Sequence, residues 1–405
     1  MSPTRQTDLL IVGGGMVGLT LANAVASAGL SVTVIDREAP TDALDSVSDG
    51  RVSAIAAGSV RMLRAIGVWQ AVEPDAQPIL DIRVSDGDAP WFLHYDHNAL
   101  GDEPFGYIVE NRVLRMALHA RAAQEDRIDH RAPASLGRVA RGSTGVHATL
   151  GDGATLAARL LIAADGRGSV VREEAGIRVV RRPYKQTAIV CTIAHERPHD
   201  GVAQERFLTA GPFAILPMTG NRSSLVWTER ADLAPAMLAL DDAAFLDEVA
   251  WRFTDYLGAL SLAGPRWSYP LELSWATRAV DRRLALVGDS AHGIHPIAGQ
   301  GLNLGLRDVA ALAEILVDAH RLGLDIGSST VLARYQRSRR VDVASMSIVT
   351  DALNYLFAND IMPVKLARGL GLSAVNRMPS LKRHFMRHAM GLVGDLPRLV
   401  RGEPL

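Results

Sequence analysis

One cysteine, Cys191, is all the thiol that 405 residues provide. Without a second sulfur there is no intrachain disulfide, and without companion ligands there is no thiolate cage for zinc or an iron–sulfur cluster. The residue reads as a small buried apolar side chain in a protein of a reducing compartment. Charge excess is lacking too: 43 Lys and Arg face 44 Asp and Glu, a formal net of −1. That balance gives no pull toward polyanions, and no basic–aromatic module appears, which argues against nucleic acid as a partner. No apolar run reaches the roughly 18 uninterrupted residues of a membrane span. Arg5, the apolar stretch from Leu9 to Leu21 and the small-residue run around it have the outline of a signal peptide. Asp8 interrupts the flank, however, and Gly13, Gly14 and Gly15 interrupt the core, so that reading is set aside. Repeats and low-complexity segments are missing as well. What is present is a chain long enough for two or three domains, with a globular 48% hydrophobic content.

The N-terminal segment DLLIVGGGMVGLTLANAVASAGLSVTVIDR reads as a strand, a glycine turn, a helix to about Ala28 and a second strand ending at Asp36. Its glycines fall as Gly13-x-Gly15-x-x-Gly18, and Asp36 comes eighteen positions after the last of them. Gly13 makes the tight turn, Gly15 lets a pyrophosphate approach the free N–H groups of the helix start, and Gly18 lets helix and strand pack closely. Asp36, with Arg37 beside it, would meet the ribose hydroxyls of an adenosine. Strand, turn, helix, second strand and acid come in the order a dinucleotide site requires.

Two later strand ends also carry polar groups. LLIAADGRGSVVRE, residues 160–173, is an apolar strand running into Asp165 and Gly166, with Ser169 and Arg172 at the start of a helix. GDSAHGIHPIAGQGLNLGLRD, residues 288–308, joins the run Leu284 to Val287 to a helix whose apolar stripe is Leu302, Leu306, Val309, Ala313 and Leu316. Gly299 and Gly301 permit close approaches that a side chain blocks, and Asp289 sits where a strand delivers a polar group to the sheet's edge. His292 and His295 lack a third ligand, so no metal is expected. Ser290 lacks the strained elbow and third partner of a hydrolase.

A chain with G-x-G-x-x-G, DG-x-x-S-x-x-R and GD at three separated strand ends resembles the class A flavoprotein monooxygenases, which have the p-hydroxybenzoate hydroxylase fold. HPIAGQGLNLGLRD, from His295 to Asp308, narrows the match: it resembles the signature of the UbiH/UbiF-type hydroxylases of ubiquinone biosynthesis, and the likeness extends over most of the chain. The resemblance implies an α/β protein, with a Rossmann-like FAD-binding domain, an inserted α+β substrate domain and a helical C-terminal region. It implies FAD as cofactor, NAD(P)H or another reductant as electron donor, and a polyprenylated phenol as substrate. Oxygen would add to the reduced ring at C(4a), and the hydroperoxide would pass a hydroxyl to the phenol.

Residue by residue, the resemblance has Asp289 hold the ribityl chain and Asp165 serve FAD and NAD(P)H. Arg51, in DGRVSAIAAGSVRMLRAIGVW, would reach the flavin region, and Arg112, in ENRVLRMAL, would contact FAD. Pro296 would form an apolar wall beside the ring, with backbone N–H groups of Gly301, Leu302 and Asn303 directed at its pyrimidine edge. A helix N-terminus, carrying about half a positive charge, stabilises the anionic reduced ring. No side chain is assigned as a catalytic base.

The FAD-binding domain is expected at 1–75, 105–178 and 276–330, the substrate domain at 76–104 and 179–275, and the helical region at 331–405. QTAIVCTIA, QERFLTA, PFAILP and SSLVWTE read as strands, followed by a helix near 242–257. Phe213, Leu216, Pro217 and Trp227 are candidates for the substrate wall, with core packing an equal alternative. From Ile361 to Arg401 stand Lys365, Arg368, Arg377, Lys382, Arg383, Arg387, Arg398 and Arg401 against one acid, Asp395. Such basic amphipathic pieces fit an anionic membrane surface, or a partner protein of a ubiquinone-biosynthesis complex. The expected location is therefore cytoplasmic, peripheral on the inner face of the cytoplasmic membrane. Two other readings stay open: a hydroxylase of a small soluble phenol, and a flavin-binding assembly subunit without turnover.

Overall fold

The computed structural model of the chain describes residues 5–40, 50–87, 92–253, 256–295, 299–357 and 375–405. The opening apolar run forms β1 (Arg5–Val12), with Leu9, Leu10 and Ile11 fully buried, as in a strand covered on both faces. The glycine turn passes into α1 (Met16–Ser27) and then β2 (Val32–Ile35), parallel to β1. After β3 (Val52–Ala56) and α2 (Asn111–Ala123) comes β4 (Thr155–Ala163), the parallel neighbour of β1 on its other side. Then follow β5 (Val179–His195), β6 (Gly211–Met218), β7 (Arg222–Arg230), α3 (Asp242–Phe253) and β8 (Trp267–Ala276). The chain returns through β9 (Leu284–Leu286), parallel to β4, and continues into α4 (Gln300–Arg321), α5 (Ser329–Phe357) and α6 (Pro379–Ala389).

In the first sheet β9, β4, β1 and β2 lie side by side, and the parallel pairing brings their carboxyl ends to one edge. Gly13, Asp36, Asp165 and Asp289 follow those ends, so residues spread from 13 to 289 converge there. The second sheet is largely antiparallel: β8, β5, β7 and β6 are consecutive neighbours, and Val202–Leu208 extends it beyond β6. Its other end is closed by residues of the signature loop itself, His292–Gly293, which pair with Ser274 and Trp275 of β8. The loop after β9 is thereby hydrogen-bonded to both halves of the molecule.

The expected boundaries do not separate the cores. A small sheet of β3, Gly106–Glu110 and Gln77–Ile79 crosses the divisions placed at 75 and 104. Val331, Leu332, Tyr335, Leu399 and Val400, from the C-terminal region, are buried in the same apolar cluster as Leu9, Leu19 and Leu312. Among the described residues no helix is long and apolar enough to cross a membrane.

Candidate active site

The three glycines of the first turn meet three different surroundings. Gly13 adopts φ +107°, and a Cβ there would lie 2.3 Å from the carbonyl oxygen of Ala164. A Cβ on Gly18 would lie 1.9 Å from the carbonyl oxygen of Gly13, so α1 could not pack on the turn. Gly15 has an ordinary φ of −71°, and a Cβ on it would meet nothing within 4 Å. Neither strain nor packing therefore demands glycine at 15; the space above it does. Gly15 caps α1 without any side-chain hydrogen bond, and the first turn holds no acid, so the N-terminal donors stay available to an anion. Asp36 closes the turn by accepting from the Gly14 N–H and also accepts from Glu38 N at 2.9 Å. A carboxylate has about four lone-pair sites, which leaves capacity for ribose hydroxyls. Arg37 is exposed beside it.

The DG and GD segments are stitched together by Arg172, which is 2% exposed and donates to the carbonyls of Ser290 (3.0 Å) and Arg167 (2.8 Å). Asp165 has one carboxylate oxygen that is buried and has no partner among the described residues. Asp289 pairs with Arg167 at 3.1 Å, both side chains being nearly half exposed. Behind Gly288 lies a buried charge network. Asp308 accepts from Gly288 N (3.0 Å), from the His292 ring (2.6 Å) and from Arg339 Nε (2.7 Å). Burial alone would push this carboxyl up, but the charges and hydrogen bonds of His292 and Arg339 outweigh burial and hold it down at about 2. Arg339 and Arg307 share Asp342, and Arg307 donates to the Val393 carbonyl at 3.0 Å, so the network runs from the GD turn to the C-terminal segment. His295 is fully buried against Tyr184 and 3.3 Å from Gln186 Oε1, and burial brings its ring down to about 4. Both loop histidines thus have partners other than a metal. Burial pushes the Cys191 thiol up to about 12, consistent with an inert core residue.

Gly299, at φ +61°, forms the N-cap of α4, with no side-chain cap and no acid in the first turn. Asn303 pins this end: its amide donates to Ala54 O (2.7 Å) and Gly299 O (3.2 Å), and its oxygen accepts from Ala56 N and Ser59 Oγ, both at 2.9 Å. The Asn303 side chain is thus committed to the fold. A Cβ on Gly301 would meet nothing within 4 Å, as at Gly15. Pro296 lies outside the described residues.

Gly15, Asp289, Gly301, Leu302 and Asn303 border one cavity of about 780 Å³, whose opposite wall is the second sheet. Arg51 lines it, with its guanidinium 5.2 Å from the Tyr269 ring centroid. Arg112 does not; it reaches Met116 Sδ at 3.6 Å, whereas Arg115, one helical turn on, is on the wall. Of the four proposed wall residues only Leu216 lines the cavity. Phe213 and Trp227 are buried on the sheet's other face, against Phe245 and Val249 of α3, and Pro217 shares their strand parity. The reason is the two-residue period: Ala214 and Leu216 of β6 and Ser224, Val226 and Thr228 of β7 face the cavity, and the residues between them face away. A partial signal was in the sequence, since in β7 Leu225 and Trp227 alternate with Ser224, Val226 and Thr228, whereas in β6 Leu216 shares the parity of Ala214. Gln204, Glu205 and Tyr269, also on the wall, carried no such signal.

The family model described as FAD binding domain matches residues 6–348. Ubiquinone hydroxylase UbiL of Rhodospirillum rubrum is 56% identical over 100% of this chain and 95% of its own. The chain belongs to the FAD-dependent hydroxylases of ubiquinone biosynthesis. The 3-demethoxyubiquinol 3-hydroxylase of Escherichia coli K12 is another member of similar extent, 37% identical over 96% of this chain and 99% of its own. The fold of this hydroxylase is that of p-nitrophenol 4-monooxygenase PnpA from Pseudomonas putida DLL-E4, with a TM-score of 0.79 over 96% of this chain and 99% of that one, at 19% identity. FAD is the hydroxylase's cofactor, and the site suits it: an open glycine beneath an uncapped helix end for the pyrophosphate, acids at three converging strand ends, and a second uncapped helix end across the cavity.

Proposed function

We propose that this hydroxylase admits a polyprenylated phenol to the 780 Å³ cavity and hydroxylates its ring, with oxygen as co-substrate and NAD(P)H or another reductant as donor. The carrying observation is continuity: one cavity is bounded by Gly15, Asp289 and Gly301 on the dinucleotide side and by Val190, Ala214 and Leu271 on the other. Bound FAD supplies the electron transfer and the activation of oxygen. The chain's part is to bind, orient and keep dry. The α1 N-terminus would take the pyrophosphate, Asp36 the ribose and Asp289 the ribityl chain. The uncapped start of α4 would present its positive end to the ring, which suits a negative charge there. The cavity-facing side chains Ala188 and Val190 of β5, Ala214 and Leu216 of β6 and Val226 of β7 would hold the phenol and exclude water, whose entry favours loss of hydrogen peroxide.

Ile79, Phe105 and Ala389 also line the cavity and add apolar surface suited to a prenyl tail. Ala389 ends α6, whose outward side exposes Arg383, Arg387 and Phe385, with Arg377 and Met378 just before it. We assign this side to an anionic membrane surface. Arg398 and Arg401 are not part of it, since they pair with Asp318 and Glu403. Residues 361–374 of the basic segment, with Lys365 and Arg368, lie outside the described residues. The test is mass analysis of quinone precursors after deletion of the gene: accumulation of a prenylated phenol one ring hydroxyl short of its normal successor is expected. An unchanged quinone pool would refute the reading.

A further inference from the structure

Buried polar atoms in proteins are hydrogen-bonded with few exceptions, so an orphan on a cavity wall marks a place where a ligand completes the bond. Eleven buried side-chain nitrogen or oxygen atoms lack a partner among the described residues. Only two belong to residues lining the cavity: Ser224 Oγ and Thr228 Oγ1. Both residues are almost wholly buried, at 0% and 1% exposure. They stand on β7 with Val226 between them, all three on the cavity side.

Their cross-strand neighbours offer no substitute. Val226 is flanked by Val190 and Ala214, Thr228 by Ala188, and Ser224 by Leu216 and Thr192. Thr192 Oγ1 is directed to Met218 Sδ at 4.0 Å. The Thr228 rotamer is restrained as well, because its methyl packs on Gly211, where even a Cβ would come within 2.5 Å. Four residues of extended strand separate the two hydroxyl-bearing positions by about 13 Å, too far to serve one oxygen. The gap suits an aromatic ring with a hydrogen bond of about 2.8 Å at each edge.

Resting on the reading of this cavity as the phenol site, we infer that Ser224 and Thr228 are specificity-determining residues. Each receives one oxygen substituent on opposite edges of the substrate ring, which lies across Val226. A hydroxyl can donate to an ether or phenol oxygen or accept from a phenol O–H, so methoxyl and hydroxyl substituents both qualify. The site thereby favours a ring that already carries oxygen at both edges over one that carries it at a single edge.

The test uses FAD-loaded enzyme, with 4-methoxyphenol and 4-methylphenol as probes of similar size, titrated by perturbation of the flavin absorbance. Wild type should bind the methoxyphenol roughly three- to tenfold more tightly, the worth of one neutral hydrogen bond. Ser224→Ala and Thr228→Val should each abolish most of that preference, and Thr228→Ser should keep it. Without probe, Thr228→Val should melt at or above the wild-type temperature, because an unsatisfied buried hydroxyl is removed. A lower melting temperature would reveal a structural partner and overturn the inference. Equal preference in wild type and all variants would overturn it while leaving the phenol reading intact, and a wild type that responds to neither probe would remove both.

Discussion

Exchanging Gly15 for valine and Gly18 for alanine should separate binding from folding within four residues of one turn. At Gly15 the backbone is already where any residue is content, and a new side chain meets no protein atom within 4 Å. Apoprotein stability should therefore change by at most about 1 kcal/mol, the scale of an N-cap exchange. The valine instead occupies the pyrophosphate's space. Each charge-assisted hydrogen bond it displaces is worth about 1.5–3 kcal/mol, so FAD should bind roughly tenfold to over a hundredfold more weakly. At Gly18 the added carbon is 1.9 Å from the Gly13 carbonyl oxygen, and the helix must move off the turn. Overpacking of this kind costs about 1–3 kcal/mol or more, present with or without cofactor. The assays are fluorescence titration of apoprotein with FAD and denaturant unfolding of the same apoprotein. A Gly15→Val protein with wild-type FAD affinity, or one destabilised as much as Gly18→Ala, would refute the assignment of the turn.

Stability should depend on pH through His295. Its folded value of about 4 lies below the ordinary 6.5, so the unfolded chain binds the proton first and stability falls as pH drops from 6.5 toward 4. The loss between pH 7 and 5 is about 2 kcal/mol. His295→Gln should flatten that part of the denaturant-midpoint profile, and an unchanged profile would disprove it. Trp227→Ala should cost about 3–5 kcal/mol, since it empties the core between β7 and α3 and removes the Arg252 guanidinium contact at 4.2 Å. A raised KM at unaltered stability would instead return Trp227 to the substrate wall. In low-salt sedimentation with anionic vesicles the protein should pellet. Reversing Arg383 and Arg387 to glutamate should weaken partitioning at least about thirtyfold, at about 1 kcal/mol per lost cation. Wild type that stays in the supernatant would end the membrane assignment.

Local pattern sufficed where the determining physics is local. The glycine spacing, the apolar runs on either side of it and the acid at Asp36 foretold β1, α1 and β2, because turn geometry and helix-end electrostatics depend on neighbours a few residues apart. The same holds for α4, whose apolar stripe and glycine entry were both legible. Resemblance carried the cofactor and the reaction, and the matched relatives agree with it. Tertiary structure decided which face of each strand meets the cavity. Leu216 lines it and Phe213, three residues away, does not, because the pleat sends them to opposite sides of β6. It also chose Arg115 over Arg112, a matter of helix phase relative to a wall built by other segments. Asp308 read only as the last letter of a motif, yet it anchors Gly288 and His292 and draws in Arg339 from the next helix. A buried charge acquires its meaning from partners that only the folded chain brings within hydrogen-bonding distance, and desolvation makes those partners obligatory.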